Sequence, residues 1–466
     1  MPLDFPIETR TLPNGLRVVV QPDHTSPTVT VNLWVGVGSR HEAVGKTGFA
    51  HLFEHLMFQG SAHVAEGEHF QALMGVGGRL NATTWFDRTN YFETVPTGAL
   101  ELALWLESDR HAALLDAVTQ ENLDNQRDVV KEEKRQRYDN QPYGQALATV
   151  YATVFPDGHP YHHPTIGSME DLDAASLEDV HAFFRAHYAP DNTVLTLCGD
   201  VTPERGFALA EQYLGWIEHR SEPRRADLEQ LPPLEAPERV EITEADVPND
   251  RLHMAFRLPV ESRTGRREFL ACSIALDCLA GLSFSPLEQQ LVRTEGSANH
   301  VEATAMGFVD GVSLGLIVAD IADGASMDGV EEAICVALET FAEHGPSEAE
   351  MDAVLAQTER AWLSALAAKD ERADVISHYT LLHDDPGYIN TFLDEVATIT
   401  ADDVTVKSPG RGLQPNELPR LVGRTLHREM AEGDFFFAGD LTDTVPTGRQ
   451  FEFRRPWGLP VRYHDV

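Results

Sequence analysis

Phe49-Ala-His-Leu-Phe-Glu-His-Leu-Met-Phe58 is the stretch from which the rest of the chain is read. Wound as a helix, it places Phe49, Leu52, Phe53, Leu56 and Met57 at i, i+3, i+4, i+7 and i+8, an apolar stripe facing a core. His51, Glu54 and His55 fall on the opposite side. Residues four apart lie one above the other on a helix, so the two imidazoles can present nitrogens to one ion. Glu54 shares that face but is better placed to reach a metal-bound water than the metal. A merely structural amphipathic helix has no need of His, Glu and His together on its polar side.

His-x-x-Glu-His is the zinc pair and general base of H-E-x-x-H written backwards. Catalytic zinc usually takes three protein ligands and keeps a fourth position for water, so a third ligand is required. A later helix is the place to seek it. Residues 121–138 are helical by propensity and free of Gly and Pro. They offer Glu132 and Glu133, and the residues alone do not choose between them.

His51-x-x-Glu54-His55, followed by a glutamate in an Arg127-Asp-Val-Val-x-x-Glu133 context, resembles the insulinase/pitrilysin zinc peptidases of bacterial type, a family that includes the mitochondrial processing peptidases. The resemblance covers roughly residues 10–400 and is strongest around the His-x-x-Glu-His motif. It implies that Glu133 is the third ligand, that one Zn2+ is held per chain by His51, His55 and Glu133, and that Glu54 is the catalytic base. Where the family carries a supporting glutamate one heptad before the ligand, this chain has Gln126. The resemblance also marks Asn81, Ala82 and Thr83 as an exposed strand to which a peptide substrate adds. Arg293 matches an arginine that helps bind substrate, while its companion tyrosine is replaced by Asn299 or His300.

In such peptidases four similar halves enclose a chamber, and a chain supplying two of them is half of a clamshell. The implied partners are unfolded peptide substrates and a second chain, giving a homodimer or a heterodimer with a family member. The implied function is a zinc metalloendopeptidase. The alternative is a non-catalytic structural or partner subunit of the same fold, against which the intact His51, Glu54, His55 and Glu133 speak.

Composition frames this reading. With 466 residues the chain is too long for one ordinary domain, and 42% hydrophobic with 24% charged residues is globular. Its 74 acidic against 36 basic residues give a net charge of −38, which argues against a nucleic-acid partner. That acidity reads as a solubility or salt adaptation ahead of a preference for basic peptides. Cys198, Cys272, Cys278 and Cys335 form no C-x-x-C pair and suit a reduced, cytoplasmic chain. The N-terminus lacks signal-peptide character, and no run of 18 apolar residues exists to span a membrane.

Along the chain, Asn14-Gly15 predicts a hairpin turn, and residues 29–37 alternate as a strand. Residues 75–96 read as a β-ribbon, 97–118 and 177–188 as helices, and 192–199 as a strand. His159, His162 and His163 lie in a Pro-bounded loop that packs near the site in preference to forming a second metal centre. Residues 219–240 read as a charged, Pro-rich linker. Beyond it the pattern repeats in degraded form. Residues 247–263 echo 26–40, and the helix at 269–280 lacks both histidines. Thr400-Ala-Asp-Asp-Val404 echoes Ser176-Leu-Glu-Asp-Val180, with a strand expected at 418–423, although Thr405-Val-Lys-Ser-Pro409 is expected not to continue a helix.

The expected fold is therefore α+β: two tandem similar halves, each an antiparallel-rich sheet with helices packed on one face. The expected domains are a catalytic half at 1–220, a linker at 221–240, an inactive half at 241–425 and a divergent tail at 426–466.

Overall fold

The computed structural model describes residues 3–218, residues 228–407 except 229, 230, 233, 235, 236, 245, 246 and 264, and the backbone of 461–465. Most of the expected linker, the expected strand at 418–423 and nearly all of the expected tail lie outside these residues. The chain forms two compact units, Met1–Leu228 with Ala356–Thr398, and Glu229–Leu355 with Ile399–Val466.

In the first unit six strands form one sheet: β1 (Glu8–Thr11), β2 (Arg17–Pro22), β3 (Thr28–Val35), β4 (Arg79–Thr84), β5 (Thr89–Pro96) and β6 (Thr193–Gly199). Their order is β1-β2-β6-β3-β5-β4, and only β2 with β6 is parallel. The Asn14-Gly15 turn joins β1 to β2, with Gly15 at φ +91° where a side chain would be strained. The amino-terminal part of this unit adds the helices α1 (Phe49–Leu56), α2 (Glu68–Gly75), α3 (Leu100–Ala113), α4 (Gln120–Lys134), α5 (Ala146–Val154), α6 (Met169–Ala174), α7 (Leu177–His187) and α8 (Pro203–Leu214).

The second unit holds a five-stranded sheet of β7 (Glu238–Ile242), β8 (Arg251–Leu258), β9 (Ala298–Met306), β10 (Ser313–Ile321) and β11 (Val461–Asp465), in the order β7-β11-β8-β10-β9. Helices α9 (Arg266–Ala280) and α10 (Met327–His344) pack on it. The chain continues through α11 (Glu348–Ala367), α12 (Lys369–His383), α13 (Phe392–Val396) and α14 (Ala401–Lys407). Leu252, Met254 and Phe256 of β8 share a core with Phe269, Cys272, Leu276 and Leu279 of α9. The α9 helix follows β8 as α1 follows β3. Both units are thus mixed α/β with antiparallel-rich sheets, as expected.

Strand periodicity explains how the first sheet is covered. Successive side chains point to opposite faces. Val18, Val20, Val31, Leu33, Leu195 and Leu197 face one way, into a core with Leu100 and Leu104 of α3 and Phe207 of α8. Their neighbours Val19, Trp34 and Val194 face the other way, against Leu366, Ile376, Leu381 and Ile389. The second half was expected to run unbroken from 241 to 425. Residues 356–398 instead belong to the first unit, because α12 carries the apolar residues that bury this second face. Polar contacts fix α12 there. Asp374 Oδ1 accepts from Asn32, Trp34 and Asn90 at 3.2, 2.9 and 2.8 Å, and Ser377 donates to Thr196 at 2.8 Å.

Two helix ends differ from expectation. The helix expected over 121–138 is α-helical to Lys134 and closes in a π-turn, Arg135–Asp139. The α14 helix continues to Lys407, past the Val404 at which it was expected to stop. A proline disfavours helix at the residue just before it and not further back, which leaves 405–407 able to stay helical.

Candidate metal centre

The α1 helix buries Phe49, Ala50, Leu52, Phe53 and Leu56, so its polar stripe carries His51, Glu54 and His55 at the surface of the core. Leu123 and Val130 of α4 join the same core as Phe49, Phe53 and Leu56. Glu133, three residues past Val130, is thereby brought beside the histidine pair. Its Oε2 lies 3.7 Å from His51 Nε2 and 3.3 Å from His55 Nε2. The side chains are 13%, 22% and 17% exposed for His51, His55 and Glu133, a shielded but reachable site.

Geometry also separates the two glutamates that the residues left open. Glu132 is exposed and pairs with Arg135 at 3.2 Å and Gln136 at 2.9 Å, away from the histidines. Glu133 gives its other oxygen to Arg137, 2.8 Å away. Gln126 is buried two turns earlier on the same helix.

The donor set fits zinc. Among the described residues, His51, His55 and Glu133 offer one nitrogen, one nitrogen and one oxygen, all within 4.8 Å of one another. A tetrahedral zinc with bonds of about 2.1 Å has ligand atoms about 3.4 Å apart, close to the two separations to Glu133. Protonation agrees with that role. Burial, then neighbouring His55, lowers His51 to about 4, leaving its imidazole neutral and able to donate a lone pair. A hydrogen bond with His55 leads the effects that hold Glu133 below the usual carboxylate range.

Glu54 lies beside this trio, within reach of the charges of His55 and Glu133. Its Oε2 accepts from the Thr84 hydroxyl at 2.5 Å. Burial raises its carboxyl, and the Thr84 hydrogen bond opposes that rise. Thr84 ends β4, the outermost strand of the first sheet. The hairpin fixes the phase of that edge. Trp85 N–H donates to the Arg88 carbonyl at 2.9 Å, so by alternation Thr83 with Asn90 and Asn81 with Phe92 are the hydrogen-bonded pairs. The backbone groups of Leu80, Ala82 and Thr84 therefore point off the sheet. Of the three residues marked for peptide binding, Ala82 directs its N–H and C=O outward, while Asn81 and Thr83 turn theirs toward β5.

The remaining sequence candidates are placed as follows. Arg293 lies in a π-turn, Glu288–Thr294, of the second unit and pairs with Glu288 at 2.9 Å. His159 stacks on Phe155 at 5.0 Å, and His162 Nδ1 meets the Phe155 carbonyl at 2.8 Å. The loop they occupy ends at Gly167, where a Cβ would lie 2.2 Å from the Gly48 nitrogen, hard against the start of α1.

Two contacts were missed in the sequence. One is Thr84, whose spacing from Ala82 puts both on one face of β4. The other is Glu42, whose Oε2 and Oε1 accept from the Gly48 and Ala50 amides at 2.9 and 2.7 Å. Burial pushes its carboxyl up to about 8, with the same amides pulling it down. Amide donors on both oxygens at a helix N-terminus favour the ionised form and so work against that burial. The signal for it was Gly48 itself, which has no side chain with which to cap α1.

A family model described as "Insulinase (Peptidase family M16)" matches residues 17–165, and one described as "Peptidase M16 inactive domain" matches residues 174–358. Zinc protease PqqE of Helicobacter pylori is 28% identical over 400 residues, covering 83% of this chain and 87% of that protein. An uncharacterized zinc protease of Mycobacterium leprae is 30% identical over 343 residues, covering 70% of this chain and 75% of that one. The crystal structure of a protease from Helicobacter pylori shares the fold, with a TM-score of 0.80 at 24% identity over 87% of this chain and 96% of that one. On these matches the chain belongs to the insulinase family of peptidases, family M16.

Proposed function

We propose that this chain is a zinc-dependent endopeptidase that cleaves unfolded peptides. One observation carries the reading: His51 and His55 from α1 and Glu133 from α4 bring three zinc-type donor atoms together, with a fourth side chain, Glu54, beside them. His51, His55 and Glu133 are the residues that would hold the ion. When bound, zinc supplies a positive charge that acidifies a water and polarises the scissile carbonyl.

The protein's own groups do the rest. Glu54 takes the proton of the attacking water and returns it to the leaving amine, one carboxylate serving first as base and then as acid. The Thr84 hydroxyl fixes which Glu54 oxygen stays free for that proton. Ala82, with its N–H and C=O turned off the edge of β4, lines up an extended peptide as an added strand. Such pairing reads backbone, so it accepts many sequences and requires an unfolded one.

A chain with two such units supplies half of a four-unit chamber, so the active form is a homodimer or a heterodimer with a related chain. Its four buried thiols suit the reducing cytoplasm. Among the described residues no helix is long and apolar enough to cross a membrane.

Peptide hydrolysis by the full chain, with and without a chelator, tests the reading together with zinc content per chain and native mass. The expected outcome is one zinc per chain, activity lost on chelation and restored by zinc, and a Glu54→Gln variant that keeps zinc but loses about 100-fold or more in kcat. A zinc-loaded wild type without hydrolytic activity favours a structural subunit.

A further inference from the structure

The two histidines of α1 are not equally secure. The helix has eight residues, a length at which an isolated helix in water does not hold. His55 sits in its last turn, over the buried Phe53 and Leu56. His51 sits in the first turn, where N–H groups have no partner within the helix and fraying begins. The usual remedy, a Ser, Thr, Asp or Asn cap, is missing: the capping position is Gly48, at φ +85°.

Glu42, six residues upstream, supplies what Gly48 lacks. Its carboxyl takes the amides of Gly48 and Ala50, one on each oxygen, and its side chain has no exposed surface. These amides lie three residues and one residue before His51. The loop between is pinned separately. The Thr47 amide and hydroxyl donate to Asp171 Oδ2 at 2.9 and 2.6 Å, and Lys46 pairs with Asp179.

We propose that Glu42 is a positioning residue of the metal centre, keeping the first turn of α1 wound through the Gly48 and Ala50 amides and so holding His51 opposite Glu133. It rests on the reading of His51, His55 and Glu133 as the ligands. Removing Glu42 frees His51 and leaves His55 in place, which reduces a three-donor site to a two-donor one.

The test measures zinc affinity of the full-length metal-free protein, by competition with a chromophoric chelator, beside its thermal midpoint. Glu42→Ala removes both acceptors. Glu42→Gln keeps one and guards against a variant that fails to fold. Lys46→Ala loosens the same loop without touching either amide. Wild type is expected to bind one zinc, with Glu42→Ala weaker by about 10-fold or more, as for other residues that orient a ligand. Glu42→Gln is expected to fall between, and Lys46→Ala to match wild type.

A cycle with His51→Ala separates positioning from general damage: once His51 is gone, Glu42→Ala is expected to weaken zinc no further. Equal affinity in wild type and Glu42→Ala overturns the proposal, as does an undiminished effect in the His51→Ala background. A wild type that takes no zinc overturns the ligand reading and this proposal together, an outcome distinct from a wild type that binds and a Glu42 variant that binds equally.

Discussion

The hydroxyl of Thr84 donates to Oε2 of Glu54, joining the last residue of an edge strand to the acidic residue between two histidines. This hydrogen bond makes the strand that would receive a peptide and the carboxylate that would handle its proton a single mechanical piece. Thr84→Val keeps the shape and removes the donor. Losing a hydrogen bond to a charged group costs about 1.5–3 kcal/mol, so kcat is expected to fall about 10-fold or more, with zinc content unchanged. Steady-state kinetics beside metal analysis checks this. An unchanged kcat removes Thr84 from the machinery.

The edge of β4 is tested at Ala82, whose N–H points off the sheet. Ala82→Pro deletes that donor without disturbing the hydrogen-bonded pairs of Asn81 and Thr83. Because only an added strand uses the group, the expected result is a KM raised several-fold with kcat and zinc affinity little altered. Equal losses at Ala82→Pro and in the thermal midpoint point to damage of the sheet instead.

Gly48 and Gly167 meet at the start of α1. A Cβ at Gly48 would lie 2.6 Å from the Ile166 carbonyl oxygen, and the residue sits at φ +85°. Gly48→Ala is expected to cost about 1–3 kcal/mol of stability from backbone strain, read by denaturant unfolding. A change within about 0.5 kcal/mol, the range of an ordinary surface substitution, contradicts this packing.

Acid stability has a local source in Asp23. Burial opposes its ionisation, but hydrogen bonds from Thr25 and the Arg372 guanidinium outweigh that and bring the carboxyl to about 2. Its folded value lies below its ordinary one of 3.8, so the ionised group stabilises the fold above about pH 4, and that contribution is lost as pH falls through 2. Asp23→Asn is therefore expected to lower stability by about 2 kcal/mol at pH 7 and by little at pH 2. Unfolding measured across that range checks the sign, and a difference independent of pH refutes it.

Much of this was legible in the residues. The stripe of Phe49, Leu52, Phe53 and Leu56 required a buried face, and that forced His51, Glu54 and His55 to the other side. The choice between Glu132 and Glu133 was not available from propensity, since both sit in one helical run. It turns on which face Leu123 and Val130 bury, a tertiary fact. The Glu42 cap escaped because its partners are backbone amides, so that only a helix start at Gly48, with no side chain to cap it, hinted at one. The role of α12 escaped for a related reason. Val19, Trp34 and Val194 mark a second buried face on the first sheet, yet nothing in them says that the cover arrives from residues 366–389.

That late cover sets an order of events during synthesis. The sheet bearing the metal site begins at residue 8, but Val19 and Trp34 stay bare until α12 has left the ribosome, some 350 residues later. A fragment cut at the repeat boundary would keep every proposed ligand and still present a sticky apolar surface. The first unit therefore cannot be excised at that boundary as an independent module, because residues 356–398 belong to it.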